Sequence, residues 1–284
     1  MEVGIATTCS DWSVDAATVA RMVEDAGIAM LSFGEHTHIP ASRETPYPGG
    51  SNSGDGALPP GYERSIDLFV TLTVAALATT KLKLGTGILQ VVQRDPIVTA
   101  KAVASVDLLS GGRLVPITGS SWNVEEMRNH GTDPATRYEL LEERVLAMRE
   151  IWANDEATFH GQFVNFDRIW CWPKPAQNPM PIYIGGNSPG SEERALRAGT
   201  GWSSLHGPGM PERVAAYLER AAADGIETSV AAVGGPVSAE LIESYARAGA
   251  KYWLYGVPMS DDISAYERGI EALVAANAEF AGSP

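Results

Sequence analysis

The sequence predicts an α/β chain folded as a single (β/α)8 TIM barrel with insertions, and three observations carry that prediction. Short runs rich in β-branched residues alternate with stretches of helical period, the pattern of parallel strands covered by helices. The alternation recurs eight times along the chain, which favours closure into a barrel over an open doubly wound sheet, the alternative fold. Glycine ends four of the helical stretches, at Ala26-Gly27, Ala198-Gly199, Asp224-Gly225 and Ala248-Gly249, where a left-handed residue closes a helix.

Taken in order, strands are expected at 3–7, 30–34, 82–91, 113–118, 181–185, 201–205, 228–233 and 252–257. The helices that follow them are expected at 15–26, 66–78, 97–109, 138–152, 192–198, 212–223, 239–248 and 264–276. Two connections are longer than a compact barrel needs, which points to a use. Residues 35–63, rich in Pro, Gly, Ser and Asn, read as a lid over one barrel end. Residues 155–178 read as a small hairpin leading into an aromatic and proline segment. Residues 1–284 then form one domain with two insertions.

Charge narrows the partners. Lys and Arg number 21 against 35 Asp and Glu, and the net charge of −14 repels phosphate backbones and anionic membranes, so neither nucleic acid nor a membrane is an expected partner. Cys9 and Cys171 lack metal-ligand spacing, and free thiols fit a reducing compartment. No basic segment leads into an apolar stretch at the start, and no apolar run approaches the ~18 residues of a membrane span, so a cytoplasmic protein is expected. The apolar stretch 66–78 reads either as a buried helix or as the face of a homodimer.

In a β/α barrel, chemistry sits at the carboxyl ends of the strands. The second strand delivers Glu35, His36 and His38 there, and Glu35 with His36 can act as a base and its orienting partner. The pair His36 and His38 offers two metal ligands, but no third residue stands at a recognisable spacing, so no metal is expected. The third strand, KLKLGTGILQ, holds Gly85 and Gly87, where glycine marks a bulge, tight barrel packing, or close approach of a ligand. The fifth runs into Gly185, Gly186, Asn187 and Ser188 ahead of a helix, a sequence that suits an anion such as phosphate or forms a simple turn.

The segments FGEHTHIP, LGTGILQVVQRDPIVTAKAVASVDLLSGGR, SWNVEEMRNHGTDPATRYELLEERVLAMREIW and YIGGNSP together resemble the bacterial luciferase-like superfamily, and especially its coenzyme F420-dependent oxidoreductases. The resemblance covers nearly the whole chain. It implies a luciferase-like barrel with a non-prolyl cis peptide between Gly87 and Ile88 that supports a deazaflavin ring, and hydride transfer at that ring. It implies catalytic roles for His36, as proton donor or acceptor, and for Glu35, which would orient it. Cofactor contacts would come from Thr86, Gly87, Ile88, Ser120, Gly185, Gly186, Asn187 and Ser188, the last four at the phosphate. Trp12, His38 and Trp122 would wall a small-molecule substrate. An anionic cofactor needs local cations, for which Arg43, Arg64, Arg94, Lys101 and Arg194 are candidates. Members of the superfamily usually form homodimers.

The fourth strand departs from the family pattern. Where relatives read close to R-L-x-L-G-V-G-x-G-W, this chain has Pro116 in a central strand and Ile117 and Ser121 in place of glycines. Thr200 likewise stands where Asp is common. These changes keep two alternatives open: an FMN-dependent monooxygenase on the same scaffold, and a barrel without a redox cofactor that binds a metabolite or performs a non-redox step.

Overall fold

In the computed structural model, which describes residues 1–48 and 56–282, the expected strands form one parallel sheet that closes on itself. Residues 49–55 of the expected lid lie outside the described residues. In chain order the structure runs β1 (Glu2–Thr7), α1 (Ala16–Asp25), β2 (Met30–Phe33), α2 (Leu68–Ala78), β3 (Lys83–Thr86), α3 (Pro96–Ser110), β4 (Leu114–Val115) and β5 (Ile117–Thr118). It continues with α4 (Val124–Asn129), α5 (Arg137–Ala153), the hairpin β6 (Ala157–His160) and β7 (Asn165–Ile169), β8 (Tyr183–Gly185) and α6 (Ser191–Ala198). The last units are β9 (Gly201–Leu205), α7 (Met210–Ala223), β10 (Val230–Val233), α8 (Ala239–Arg247), β11 (Tyr252–Gly256) and α9 (Ile263–Gly282).

The fourth barrel strand is broken at Pro116, which has no N–H to give a neighbour. Its first half, β4, pairs with β3, and its second half, β5, pairs with β8. Closure between β3 and β5 is restored by Leu89, whose N–H reaches Ile117 O at 2.8 Å and whose carbonyl accepts from Gly119 N at 3.2 Å. Thr86 seals the same seam, its hydroxyl donating to Ile117 O at 2.6 Å and accepting from Ile117 N at 2.7 Å. The barrel therefore closes through a side chain where the proline has disturbed the ladder.

Two apolar cores follow from this geometry. The larger lies between strands and helices; the smaller fills the barrel itself with Met30, Val115, Ile117, Tyr183, Ala231, Tyr252 and Leu254. Gly85 belongs to this packing, because a Cβ there would lie 2.3 Å from Met30 Cε. Arg113 ties two helix ends beneath the barrel: its guanidinium donates to carbonyls of Ala76, Thr79 and Leu82 and, through Nε, to Ser110 O, satisfying groups that helix C-termini leave unpaired.

Differences from the sequence expectation are local. The third strand stops at Thr86 rather than extending to residue 91, giving way to a bend and a short 3-10 turn at Val91–Gln93. Helix α4, between the fourth strand and α5, was not expected; α9 runs to Gly282 rather than residue 276. Gly27, Gly225 and Gly249 have positive φ as expected of helix-closing residues, but Gly199 has φ −87°. Its lack of a side chain serves close approach instead, since a Cβ would meet the Gly201, Ala195 and Ile182 carbonyls at 3.0 to 3.1 Å.

Gly4 gives a direct test of the interior packing. A Cβ there would lie 2.4 Å from Leu254 Cδ2 and 2.8 Å from the Met30 carbonyl. Gly4→Ala should lower unfolding free energy by about 1 to 3 kcal/mol, the scale of overpacking, seen as a lower urea midpoint at unchanged slope.

Candidate functional site

Beyond Phe33 the chain leaves β2 at the carboxyl end of the barrel and presents Glu35 and His36 in succession. Adjacent residues of an extended segment point to opposite sides, and these two do so. Glu35 turns to the short 3-10 turn after β3: its carboxylate accepts from Gln90 N at 2.8 Å and from Arg94 through both Nε, at 2.6 Å, and Nη2. Arg94 also reaches Asp67, the N-cap residue of α2, at 3.2 Å. Burial pushes the Glu35 carboxyl above its ordinary range against the pull of Arg94; burial is also the largest effect on Arg94, but the charges and hydrogen bonds of Glu35 and Asp67 together overcome it and hold the guanidinium more firmly protonated. The expectation that Glu35 orients His36 is therefore corrected: it anchors the turn that follows the third strand.

The carboxylate on His36 is Glu126, from α4. Its Oε2 lies 2.7 Å from His36 Nδ1, with the imidazole side chain 6% exposed and Glu126 fully buried. Glu126 Oε1 accepts from Thr37 N at 3.2 Å. Burial alone would raise the Glu126 carboxyl; the hydrogen bond and charge of His36, with Gln93 and Thr37 N–H, overcome it and hold the group below its ordinary value. At the other ring nitrogen, Trp122 Nε1 points at Nε2 from 3.4 Å and Tyr62 OH lies at 3.0 Å. An indole N–H can only donate, so Nε2 carries the lone pair and Nδ1 the proton. Burial, reinforced by Tyr47, pushes the Tyr62 phenol up, so it stays neutral beside Nε2.

The insertion after β2 supplies much of this enclosure. Tyr62 sits 4.9 Å, centroid to centroid, from His36; Tyr47 packs at 5.1 Å on Tyr62 and 5.6 Å on Trp122; and the Arg43 guanidinium lies over Trp122. Glu125 ties the insertion to α4 by accepting from Glu44 N and Thr45 N, both at 3.3 Å. Trp12 packs at the root of the insertion against Gly61, whose φ of +73° and missing side chain both accommodate it, since a Cβ would lie 2.2 Å from Trp12 Nε1. His38 is drawn the other way, to Thr37, Asn129 and His130.

The peptide between Gly87 and Ile88 is cis, as the resemblance implied, and Gly87 is exposed at the mouth while Thr86 and Leu89 on either side are buried. Gly34 and Gly119 border it: Cβ atoms there would approach Gly87 O at 3.4 Å and Ile88 Cδ1 at 2.6 Å. Side chains fill the space these glycines leave: Ser32 Oγ would lie 2.8 Å from a Gly87 Cβ and Thr8 Oγ1 2.8 Å from a Gly34 Cβ. Thr86, expected to touch a cofactor, has its hydroxyl committed to Ile117 and is 1% exposed. Ile117, expected to intrude where relatives have glycine, points into the barrel core below Ile88. Ser121 has φ +60°, a conformation that explains the glycine of the family pattern, and its hydroxyl accepts from Gln93 Nε2 at 3.2 Å.

A cationic wall stands on the opposite rim. Arg137 and Arg194 flank the Tyr138 ring, their Cζ atoms 4.6 and 4.7 Å from its centroid. Burial raises the Tyr138 phenol, but Arg137, Ser188 and Ser120 hydrogen-bond it and bring it below its ordinary value. Arg194 Nε is buried without a partner among the described residues. Of the other cation candidates, Arg64 pairs with Asp11, Arg94 with Glu35, Arg43 with the Thr45 carbonyl and Lys101 with the Trp172 carbonyl. Gly186, with φ +131°, donates its N–H to Ser203 O, and the Asn187 amide pairs with both backbone groups of Leu205, so Gly185 to Ser188 form a braced turn that presents Ser188 toward Tyr138.

The structure thus joins His36 and Trp122, and Ser120 and Ser188; Glu35 and His36 line one cavity with Thr37, Ser65, Asp67 and Arg94, but the Glu35 carboxylate bonds Gln90 and Arg94 rather than the imidazole, and His38 turns away from the enclosure. Sequence reasoning missed Glu126, Tyr62, Arg137 and Tyr138. Glu126 was signalled: Asn123 and Glu126 have the spacing of a capping box, and Asn123 Oδ1 indeed accepts from Glu126 N at 3.2 Å.

Residues 13–280 match the family described as luciferase-like monooxygenase, and the chain belongs to that family. Its members are oxidoreductases and monooxygenases dependent on F420 or flavin. A protein of Mycobacterium tuberculosis strain H37Rv, Rv0953c, is 34% identical over 97% of this chain and 99% of its own. The F420-dependent glucose-6-phosphate dehydrogenase of Kineococcus radiotolerans is 32% identical over 56% of this chain and 48% of its own, and the FMNH2-dependent dimethylsulfone monooxygenase of Pseudomonas putida 35% over 55% and 45%. The same fold occurs in a crystallised F420-dependent secondary alcohol dehydrogenase, TM-score 0.75 at 17% identity, covering 99% of both chains.

Arg94→Met would leave the buried Glu35 carboxyl without its partner and should cost about 3 to 5 kcal/mol, as removal of one member of a buried pair does. Adding Glu35→Met should recover most of that loss in urea denaturation; an unrecovered double variant would contradict this view of the pair.

Proposed function

We propose that the protein is an F420-dependent oxidoreductase that exchanges a hydride with a small organic substrate, with His36 as proton donor or acceptor. The observation that carries this reading is the buried His36 imidazole, held on Nδ1 by Glu126 with Nε2 facing Tyr62 and Trp122 at the carboxyl end of the barrel. A deazaflavin there supplies a two-electron hydride donor or acceptor.

The chain's own residues do the rest. Gly87 and Ile88 would back the ring, with Gly119 making room for the Ile88 side chain. Arg137, Arg194, Ser120 and Ser188 hold the anionic tail of the cofactor, with Gly185, Gly186 and Asn187 shaping the turn that carries Ser188. His36 Nε2 takes a hydroxyl proton in the oxidising direction or returns one in the reducing direction, while Glu126 fixes the tautomer and balances the positive charge that arises. Tyr47, Tyr62 and Trp122 exclude water and wall the substrate.

The second reading, a monooxygenase using reduced FMN, is favoured by the Pseudomonas relative. We place the protein in the cytoplasm, where its two buried free cysteines remain reduced; among the described residues no helix is long and apolar enough to cross a membrane. We also propose a homodimer, built on an exposed apolar groove between α2 and α3 that includes Val70, Val74 and Leu77.

Fluorescence titration with F420 and with FMN tests the cofactor. Saturable quenching with F420 preferred is expected; preference for FMN supports the monooxygenase, and binding of neither overturns both. His36→Asn should leave F420 affinity nearly intact and lower turnover about 100-fold or more. Leu77 is 71% exposed, and Leu77→Glu should shift the protein to monomer in sedimentation, whereas an unchanged dimer would move the interface elsewhere.

A further inference from the structure

On the outer side of Glu126 lies a second group of side chains that hydride chemistry does not use. His38, Glu126 and His130 each present one ligand atom, all within 4.8 Å of one another. Glu126 and His130 stand four residues apart on α4 and its C-cap residue, which puts both on one helical face, and His38 arrives from the loop after β2. Sequence spacing could not reveal this third partner, because it comes from an element about ninety residues away.

The hub of the group is Thr37. Its hydroxyl oxygen lies 2.6 Å from His130 Nε2, 3.0 Å from His38 Nδ1 and 3.4 Å from Glu126 Oε1. A hydroxyl has one proton and two acceptor sites, and a carboxylate only accepts, so the proton goes to Glu126 and both imidazoles donate to the oxygen. The side-chain amide of Asn129, 2.9 Å from His38 Nε2, agrees with that tautomer. Three potential ligands therefore converge on a single oxygen atom in a protein whose net charge is −14.

We propose that His38, Glu126 and His130 bind a divalent transition metal ion of the zinc class. Two imidazoles and one carboxylate form a familiar ligand set for zinc and its neighbours, and the Thr37 hydroxyl, now in contact with all three, moves aside as the ion enters. The exposed ring of His130 gives the ion an entry path. On binding, each imidazole proton moves to the ring's other nitrogen, so neither ring need gain or lose charge. The Asn129 amide, turned over, then accepts from His38 Nε2–H as an outer partner. Glu126 is shared: its Oε2 still faces His36, so occupancy of Oε1 by a cation weakens the carboxylate's hold on the proposed catalytic imidazole.

The test needs neither F420 nor a substrate, so its failure is separate from failure of the oxidoreductase reading. Tag-free protein stripped with a chelator is titrated with Zn2+ by calorimetry, alongside His38→Ala, His130→Ala and, as a control, His160→Ala on the β6–β7 hairpin. The expected result is one ion per chain, with affinity at least about 10-fold weaker in the first two variants, the loss that removal of even an outer partner produces, and unchanged in the control. Circular dichroism establishes that the variants are folded. Absence of a saturable site, or a site indifferent to both His38 and His130, would overturn the proposal.

Discussion

The buried contact between His36 and Glu126 governs how the barrel mouth is organised. It spans two elements, the tip of β2 and helix α4, and it commits the imidazole to one orientation. A carboxylate on Nδ1 leaves Nε2 to face Tyr62 and Trp122. The insertion after β2 rests on the same pair: Tyr62 reaches the ring from it, Tyr47 packs on Tyr62, and Glu125, beside Glu126 in sequence, accepts from the insertion's backbone. Desolvation makes the pair decisive, since either group left alone at this depth would be costly.

Around the pair, the fold solves a problem set by its own fourth strand. Pro116 removes an N–H from the wall of the barrel, and Leu89 and the Thr86 hydroxyl restore the closure. Because Ile117 turns inward with Ile88 packed against the same core, the bulky residue that stands where the family pattern has glycine adds to the barrel interior. Glu35 and Arg94 then hold the turn after β3 in place. The two acidic residues associated with the mouth divide the work: Glu35 anchors that turn, Glu126 orients the imidazole.

Much of this was legible in the sequence. Alternating periods gave all eight strands, because the barrel repeats one local pattern, and the hairpin inside 155–178 appears as β6 and β7. Motif resemblance located the cis peptide and His36. The partner of His36 was misread because Glu35 is its neighbour in sequence, although successive residues in an extended chain diverge. Glu126 lies 90 residues away on a helix of only six residues, too short for periodicity to reveal. Half of the cationic wall was missed for a related reason: Arg194 was a candidate, but Arg137 and Tyr138 begin a long helix, and only tertiary packing brings them to Ser188 and Arg194.

The most direct measurement is the tautomer of His36 by 15N NMR in histidine-labelled protein, with the resonance assigned by its loss in His36→Asn. The chain has five histidines, few enough to resolve. The account predicts a protonated Nδ1 and a bare Nε2, because a carboxylate accepts on one side and an indole N–H donates on the other. The reverse tautomer would mean that Glu126 does not set which nitrogen faces Tyr62 and Trp122, and the organisation described for the site would fail.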